Sequence, residues 1–313
     1  MPSSAYWAYG LAILADFDCP EFLPNPAGIE KPDVTIHLMP PSPESARTVG
    51  NNLYEVQTGN FRLTIPGVAL YRVEEGCRIF IEPYPEVPVE KIRLYLLGSV
   101  FGALLYQRGL FPLHGSAIET PWGAMVFVGA QGAGKSTLVA EFHRKGYRLL
   151  SDDVCAVAQA PDGLQILPAL AQFRLCADAF ERMGAPQIAR FDVDKFVVPL
   201  GDRYCPRPVL LRAIHVLRDQ DPSNTRSEAL PAFQTLRGLD RVQRLLENLY
   251  RPQFLKGQET QRELMRMAGL VAQKATIAAV TRQRVPEDVK GLAGFLETVW
   301  SARFTPIISE ERI

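Results

Sequence analysis

The first part of the chain alternates apolar and polar positions, as a strand with one buried face does. From Phe61 to Ile65 every second residue is apolar, and two more apolar runs follow within residues 70–81, with a glycine-containing turn before each. Hairpins are the simplest account of this spacing. We therefore predict a β-rich N-terminal region over residues 1–86, in which the proline-rich stretch at 20–43 forms irregular loops.

The pattern changes to a helical period after this region. From Val87 to Arg108 apolar residues recur at spacings of three and four, including Ile92 and Val100. Pro88 falls in the first turn, where a helix tolerates proline. We predict one helix here, which bridges the N-terminal region and the next part of the chain.

The middle of the chain has the order strand, loop, helix, strand. Two apolar runs, at 114–118 and 124–128, flank a Pro-Trp-Gly turn. A glycine-rich loop follows, then a helical pattern from Lys135 to Arg144 and a strand at Tyr147–Leu150. Strands that alternate with helices are typical of an α/β core.

Together these patterns predict an α/β fold class, α+β overall, in three parts. Residues 1–86 form a small β-rich domain, 87–226 form the core with its bridging helix, and 227–313 form a helical region. The helices predicted in the last part lie at residues 236–249, 259–275 and 287–300.

Composition narrows the class of protein. The chain has 313 residues, of which 47% are apolar and 22% charged, and its formal net charge is zero. This composition is typical of a globular protein and creates no overall field that attracts nucleic acid or an anionic membrane. The five cysteines lack metal-ligand spacing, which fits a reducing compartment. The N-terminus has no signal-peptide pattern, and the apolar stretch Leu94–Tyr106 is shorter than the roughly 18 residues of a membrane span. We expect a cytoplasmic protein with no nucleic-acid and no membrane partner.

The glycine-rich loop matches the pattern G-x-x-x-x-G-K-[ST] at every fixed position, between a strand and a helix. In this setting backbone N–H groups and the helix N-terminus surround phosphate oxygens. Lys135 would neutralise the outer phosphates, and Ser136 is placed to bind Mg²⁺. A glycine-rich turn without a ligand is the alternative. The predicted nucleotide-binding residues are Gly129, Ala130, Gln131, Gly132, Ala133, Gly134, Lys135, Ser136 and Thr137.

Two adjacent carboxylates, Asp152 and Asp153, follow the strand that comes after the helix of the loop. We expect this strand to neighbour the strand before the loop, so that both carboxylates reach the phosphates. One carboxylate would hold Mg²⁺, and the other would accept the proton of an attacking hydroxyl. His114, on the preceding strand, could act on Asp152. A solvated acidic turn and a locally packed histidine are the alternatives.

The stretch from His114 to Asp153 resembles the catalytic core of the HPr serine kinase/phosphorylase family. The resemblance rests on His114-Gly115, on the loop Gly129–Ser136 and on the segment Lys145–Asp153, at matching distances from one another. It covers at most about a quarter of the chain. It also implies a kinase fold related to that of phosphoenolpyruvate carboxykinase, and a homo-oligomer.

The resemblance further implies a division of roles and two cofactors, ATP and Mg²⁺. Asp152 would be the general base, supported by His114. Asp153 would help to hold the metal ion together with Ser136, and Lys135 would hold the leaving diphosphate together with the loop.

The resemblance also bears on the substrate. The family's glycine- and arginine-rich signature loops are not found after the Asp pair, so HPr itself is not the expected substrate. The segment Lys195–Leu200 and the Leu-rich helix before His114 are closer to HPr-kinase-like proteins of lasso-peptide gene clusters, which phosphorylate a serine of a precursor peptide. We therefore expect a peptide or protein partner with an acceptor serine. Arg174 and Lys195 are candidates for contacting the phosphoryl group or the substrate, with solvated surface cations as the alternative.

Two other functions stay open. One is a kinase for a small metabolite, which needs a closed pocket with convergent cations where a peptide kinase needs an extended groove. The other is a non-enzymatic, nucleotide-dependent switch, for which the catalytic base is dispensable.

Overall fold

Two large sheets and six α-helices give the computed structural model of this chain a mixed α/β fold across the described residues. The chain divides into two compact units: residues 1–112 with 250–267, and residues 113–249 with 268–313. The structure describes residues 3–25, 29–41, 53–176, 189–192, 195–200, 203–220, 230–255, 258–283 and 289–307.

The first unit contains the β-rich region that the alternating pattern predicts. Its eight-stranded sheet has the order β3-β1-β2-β4-β8-β7-β6-β5. Phe61, Leu63 and Ile65 of β6 are buried, which confirms the alternation. The strands are β1 Ser4–Ala8, β2 Leu11–Ala15, β3 Leu23–Pro24, β4 Val34–Leu38, β5 Leu53–Gln57, β6 Asn60–Ile65, β7 Ala69–Glu74 and β8 Arg78–Pro83.

The proline-rich stretch is more ordered than the sequence pattern indicates. We predicted irregular loops over residues 20–43, but β4 lies within this stretch and pairs in parallel with β2 and β8. Val34 and Ile36 of β4 are fully buried. Sheet pairing and burial therefore outweigh the local signal of the flanking prolines.

The predicted helix over residues 87–108 is present and belongs to the first unit. It consists of α1 (Val89–Tyr95), a π-helical turn (Leu96–Val100) and α2 (Phe101–Gln107). A Cβ added at Gly102 would lie 2.9 Å from two ring carbons of Tyr250, so this helix face needs a glycine. Among the described residues, no helix is long and apolar enough to cross a membrane.

The second unit is built around a sheet in which β9 and β17 are the central strands. β9 pairs antiparallel with β10 and β11, and β17 pairs in parallel with β10 and β19. Three further strands, β14, β16 and β15, form a separate small sheet. The strands are β9 Phe111–Thr120, β10 Gly123–Val128, β11 Arg148–Ser151, β12 Val154–Ala160, β13 Gly163–Ile166, β14 Gln172–Cys176, β15 Ala189–Asp192, β16 Lys195–Pro199, β17 Val209–Asp219, β18 Ala232–Thr235 and β19 Thr276–Arg282.

The helices of the core and of the C-terminal part match the predicted ones closely. They are α3 Lys135–Arg144, α4 Leu239–Glu247, α5 Gln258–Lys274 and α6 Val289–Arg303, with a short 3₁₀ helix at Pro252–Phe254.

Three expectations need correction. The C-terminal part is not purely helical, because β18 and β19 lie within it and complete the central sheet. The compact units also divide the chain differently from the predicted boundaries after residues 86 and 226, since β19 pairs with β17 and the bridging helix joins the first unit. Finally, β11 does not neighbour β10, because β9 lies between them. Both strands are antiparallel to β9, so they still end at the same edge of the sheet.

A buried histidine on β17 connects the sheet of the second unit to α6 by a hydrogen bond. His215 on β17 and Trp300 on α6 are both 0% exposed. Trp300 Nε1 donates to His215 Nε2 at 3.0 Å, and His215 Nδ1 lies 3.3 Å from the carbonyl oxygen of Val126. Since the indole N–H can only donate, Nε2 accepts and Nδ1 carries the proton. The ring is therefore neutral, and burial lowers the pKa of His215 to about 4.

This lowered pKa predicts a loss of stability in mild acid. Between an unfolded-state pKa of about 6.5 and the folded value, only the unfolded chain takes up the proton, so the free energy of unfolding falls as pH decreases. His215 should contribute at most about 1.4 kcal/mol per pH unit in this range. Urea unfolding between pH 7 and pH 4.5 measures the slope. His215→Gln should be less stable at pH 7 but show a flatter slope, and an unchanged slope would contradict the assignment.

Candidate active site

The phosphate-binding loop lies between β10 and α3 and depends on glycines in the left-handed region. Gly129, Gly132 and Gly134 have φ of 147°, 77° and 76°. A Cβ at Gly129 would also lie 2.8 Å from the carbonyl oxygen of Leu217, so the loop begins directly against the end of β17. Gly134 is the last residue before α3, which places the helix N-terminus and its positive dipole end at the loop.

Lys135 lies folded against the loop that precedes it. Its Nζ donates to the carbonyl oxygens of Gly129 at 2.9 Å and Ala130 at 3.1 Å, and its side chain is largely buried. These contacts hold the ammonium group inside the curve of the loop. Its charge is thereby placed where a phosphate oxygen would otherwise meet only backbone.

Asp152 is the centre of a small network of hydroxyl groups. Its Oδ1 accepts hydrogen bonds from Ser116 Oγ at 2.6 Å and from Ser136 Oγ at 2.9 Å. Asp152 is 7% exposed and Ser116 is 1% exposed. The contact with Ser136 brings the Asp pair to the start of α3, as the sequence predicts, although β11 is not the strand beside β10. Sequence reasoning missed Ser116, whose only signal is its position two residues after His114 on a strand.

Asp153 takes a different direction because the backbone turns at this residue. Its φ is 77°, a left-handed conformation that Asp adopts more readily than most residues. His114 Nδ1 lies 3.4 Å from Asp153 Oδ1 and 3.2 Å from its carbonyl oxygen. The turn therefore brings two consecutive carboxylates to two different partners within one site.

The sequence His114-Gly115-Ser116 explains how one strand serves both carboxylates. Alternate residues of a strand share a face, so His114 and Ser116 both reach the Asp pair. Gly115 lies between them, and a Cβ there would be 2.7 Å from the carbonyl oxygen of Phe127 on β10. The close pairing of β9 with β10 thus requires glycine at this position, and its N–H donates to the carbonyl oxygen of Asp153 at 3.3 Å.

The oxygen atoms of Ser136 and Asp152 fit a magnesium ion. Mg²⁺ prefers hard oxygen ligands and is held by one or two carboxylates together with substrate phosphates. The two side chains present such oxygens 2.9 Å apart beside the loop. Within the described part of the chain, no group of three or more His, Cys, Asp or Glu side chains could hold a metal ion.

The two predicted substrate-contacting cations lie in the small sheet of the second unit. Arg174 on β14 is paired with Val197, and Lys195 on β16 is paired with Cys176. Their side chains lie outside the described residues, so both assignments stay predictions. A cation that the sequence did not single out, Arg282 at the end of β19, contacts the loop instead.

Comparisons with known proteins find similarity among solved structures but not among family models or curated proteins. No protein-family model matches the chain, and no curated protein does. Among solved structures, the chain is similar to the Hpr(Ser) kinase/phosphatase from Coxiella burnetii, at 13% sequence identity over 61% of this chain and 88% of that chain, with a TM-score of 0.34. With so low a TM-score, the similarity supports no inference about the site.

We expect Ser116→Ala to lower the free energy of unfolding by about 1–3 kcal/mol, because it removes a hydroxyl donor from a buried carboxylate. Urea unfolding followed by circular dichroism measures this loss. Ser301→Ala is a matched control, because the exposed Ser301 hydroxyl donates to the backbone carbonyl oxygen of Thr298 at 2.9 Å and not to a buried carboxylate. The control should change stability by less than about 0.5 kcal/mol. Equal changes in the two variants would contradict the network.

Proposed function

We propose that this chain is an ATP- and Mg²⁺-dependent kinase that transfers the γ-phosphoryl group to a serine hydroxyl of a peptide or protein. The observation that carries the proposal is the contact between Ser136 at the phosphate loop and the Asp pair, at 2.9 Å. A loop that only binds nucleotide does not need a second carboxylate beside it. Here Asp153 and His114 form an acid–base pair next to the same loop.

The loop and its lysine supply the binding of the phosphates. Backbone N–H groups from Gly129 to Ser136 and the N-terminus of α3 would surround the phosphate oxygens, and Lys135 would neutralise charge on the leaving diphosphate. Ser136 and Asp152 would hold Mg²⁺. When bound, the metal ion neutralises charge that develops on the phosphates during transfer.

We further propose that Asp153 is the general base and that Asp152 is a ligand of the Mg²⁺ ion. The family resemblance assigns these roles the other way round. Two contacts favour the exchange: Asp152 Oδ1 accepts a hydrogen bond from the metal-binding hydroxyl of Ser136, whereas Asp153 Oδ1 lies 3.4 Å from His114. A carboxylate that shares a metal ion with the loop hydroxyl is the arrangement of phosphate-loop enzymes. His114 would then act as a positioning residue for the base.

The transfer step follows from these positions. The acceptor oxygen forms a bond to the γ-phosphorus while the bond from that phosphorus to the β-phosphate oxygen breaks, which leaves ADP. The hydroxyl proton passes to the carboxylate of Asp153. Ser116 takes no part in the chemistry but holds Asp152 in place through its 2.6 Å hydrogen bond.

The resemblance to kinases of lasso-peptide gene clusters favours a serine in a precursor peptide. Incubation with labelled ATP, Mg²⁺ and candidate precursor peptides, read by mass spectrometry, tests this substrate directly. A mass shift of one phosphoryl group on a serine supports it. Phosphate that appears only on a small metabolite would instead identify a metabolite kinase.

Paired variants test the division of roles between the two carboxylates. Asp153→Asn should lower kcat by about 10²–10⁴-fold, with little change in nucleotide affinity. Asp152→Asn should weaken the apparent affinity for Mg²⁺ by about tenfold or more, with activity partly restored at high Mg²⁺. ATP hydrolysis or peptide phosphorylation across a Mg²⁺ series measures both effects.

The reverse result for the two variants would exchange the roles of the two carboxylates. If Asp152→Asn loses kcat without recovering at high Mg²⁺ while Asp153→Asn recovers with added Mg²⁺, the roles implied by the resemblance are correct. If both variants keep full activity, the chain does not use this kinase mechanism. Glu297→Gln, which removes a surface ion pair with Lys145 at 2.9 Å, serves as a charge-matched control that leaves the site intact.

A further inference from the structure

A second cation lies outside the loop motif but against the loop itself. Arg282 is the last residue of β19, and its partner in the parallel pairing with β17 is Asp219. The Nη2 group of Arg282 donates to the carbonyl oxygen of Ala133, in the loop, at 2.7 Å. The side chain is 12% exposed, so the contact is formed in a largely buried setting.

The guanidinium group also lies against the first turn of α3. A Cβ added at Gly134 would be 2.9 Å from Nη2 and 3.6 Å from the Cζ atom of Arg282. Gly134 is the residue from which the helix starts, with φ of 76°. Arg282 therefore packs at the position where the loop ends and α3 begins.

The charge of Arg282 is only partly balanced. An arginine stays protonated at all relevant pH values. Asp219 Oδ1 lies 3.9 Å from Nε, beyond hydrogen-bond distance, and the Asp219 side chain is 41% exposed, so solvent screens this ion pair. Among the residues that the structure describes, none accepts a hydrogen bond from the buried Nε. A net positive charge thus remains beside the end of a helix that already favours anions.

We infer that Arg282 is a positioning residue of the nucleotide site, which fixes the phosphate loop through the Ala133 carbonyl and adds positive charge for the outer phosphates of a nucleoside triphosphate. The inference rests on the proposed function for the identity of the ligand. Lys135 is part of the loop motif, whereas Arg282 reaches the loop from β19, which is distant in the sequence.

Equilibrium binding of adenosine, ADP and ATP to purified protein tests the inference without any phosphoryl transfer. Arg282→Gln removes the charge and keeps an N–H donor, and we expect it to weaken ATP binding by about tenfold, ADP binding by less and adenosine binding not at all. Arg282→Lys keeps the charge and should lose less than Arg282→Gln. The loss for Arg282→Gln should shrink at high salt, because screening reduces the contribution of the charge.

A control variant and the melting temperature separate this role from a purely structural one. Arg303→Gln removes an exposed arginine of α6 that stacks over Phe233 at 4.9 Å, and it should bind all three ligands as the wild type does. If Arg282→Gln melts at a lower temperature but binds ATP with wild-type affinity, the inference is wrong. Equal losses for adenosine and ATP would also overturn it. If the wild type binds no nucleotide, the proposed function fails first and this inference fails with it.

Discussion

The carboxylate of Asp152 joins three elements of the second unit. One of its oxygens accepts hydrogen bonds from Ser116 on β9 and Ser136 on α3, while Asp152 itself lies in the short connection between β11 and β12. A functional carboxylate must be held to within about 0.5 Å, and two donors from different elements fix it better than one. The close approach of β9 to β10 at Gly115 is what brings Ser116 within reach. This one acceptor therefore ties β9 and α3 to the connection that carries the Asp pair.

Positive charge in this protein is concentrated by topology and not by composition. The chain has no net charge, yet the N-terminus of α3, Lys135 and Arg282 converge on one loop. They do so because β10, β17 and β19 are parallel and end at the same edge of the sheet. A local field of this kind attracts phosphate without attracting polyanions over the whole surface. The acidic residues beside this loop, Asp152 and Asp153, are the ones that the proposed mechanism assigns to a metal ion and a proton.

Local patterns predicted the loop, α3, the two apolar runs of β9 and β10 with the turn between them, and the Asp pair, because each of these features depends on a few consecutive residues. The pairing of strands that are distant in the sequence cannot be predicted from such local patterns. The sequence pattern predicts no strand at Val209–Asp219, and Thr276–Arg282 falls within the predicted helical region. The reason is that a short apolar run fits a buried strand and a buried helix equally well. Ser116 and Arg282 carry no motif, and only the folded sheet brings them to the loop. Further ligand-binding residues are nevertheless expected at the strand ends of this edge, since ligands bind there in α/β sheets.

The order of the strands along the chain has a consequence for biosynthesis. β17 pairs with β10, which precedes it, and with β19, which is translated only after α4 and the segment 250–267 that packs in the other unit. A nascent chain can therefore form the phosphate loop and the Asp pair while one edge of β17 is still unpaired. Such an open edge is a site for wrong pairing until the last strand arrives. Because Arg282 is the final residue of that strand, the loop acquires this contact only when the sheet is closed, so the nucleotide site would mature last.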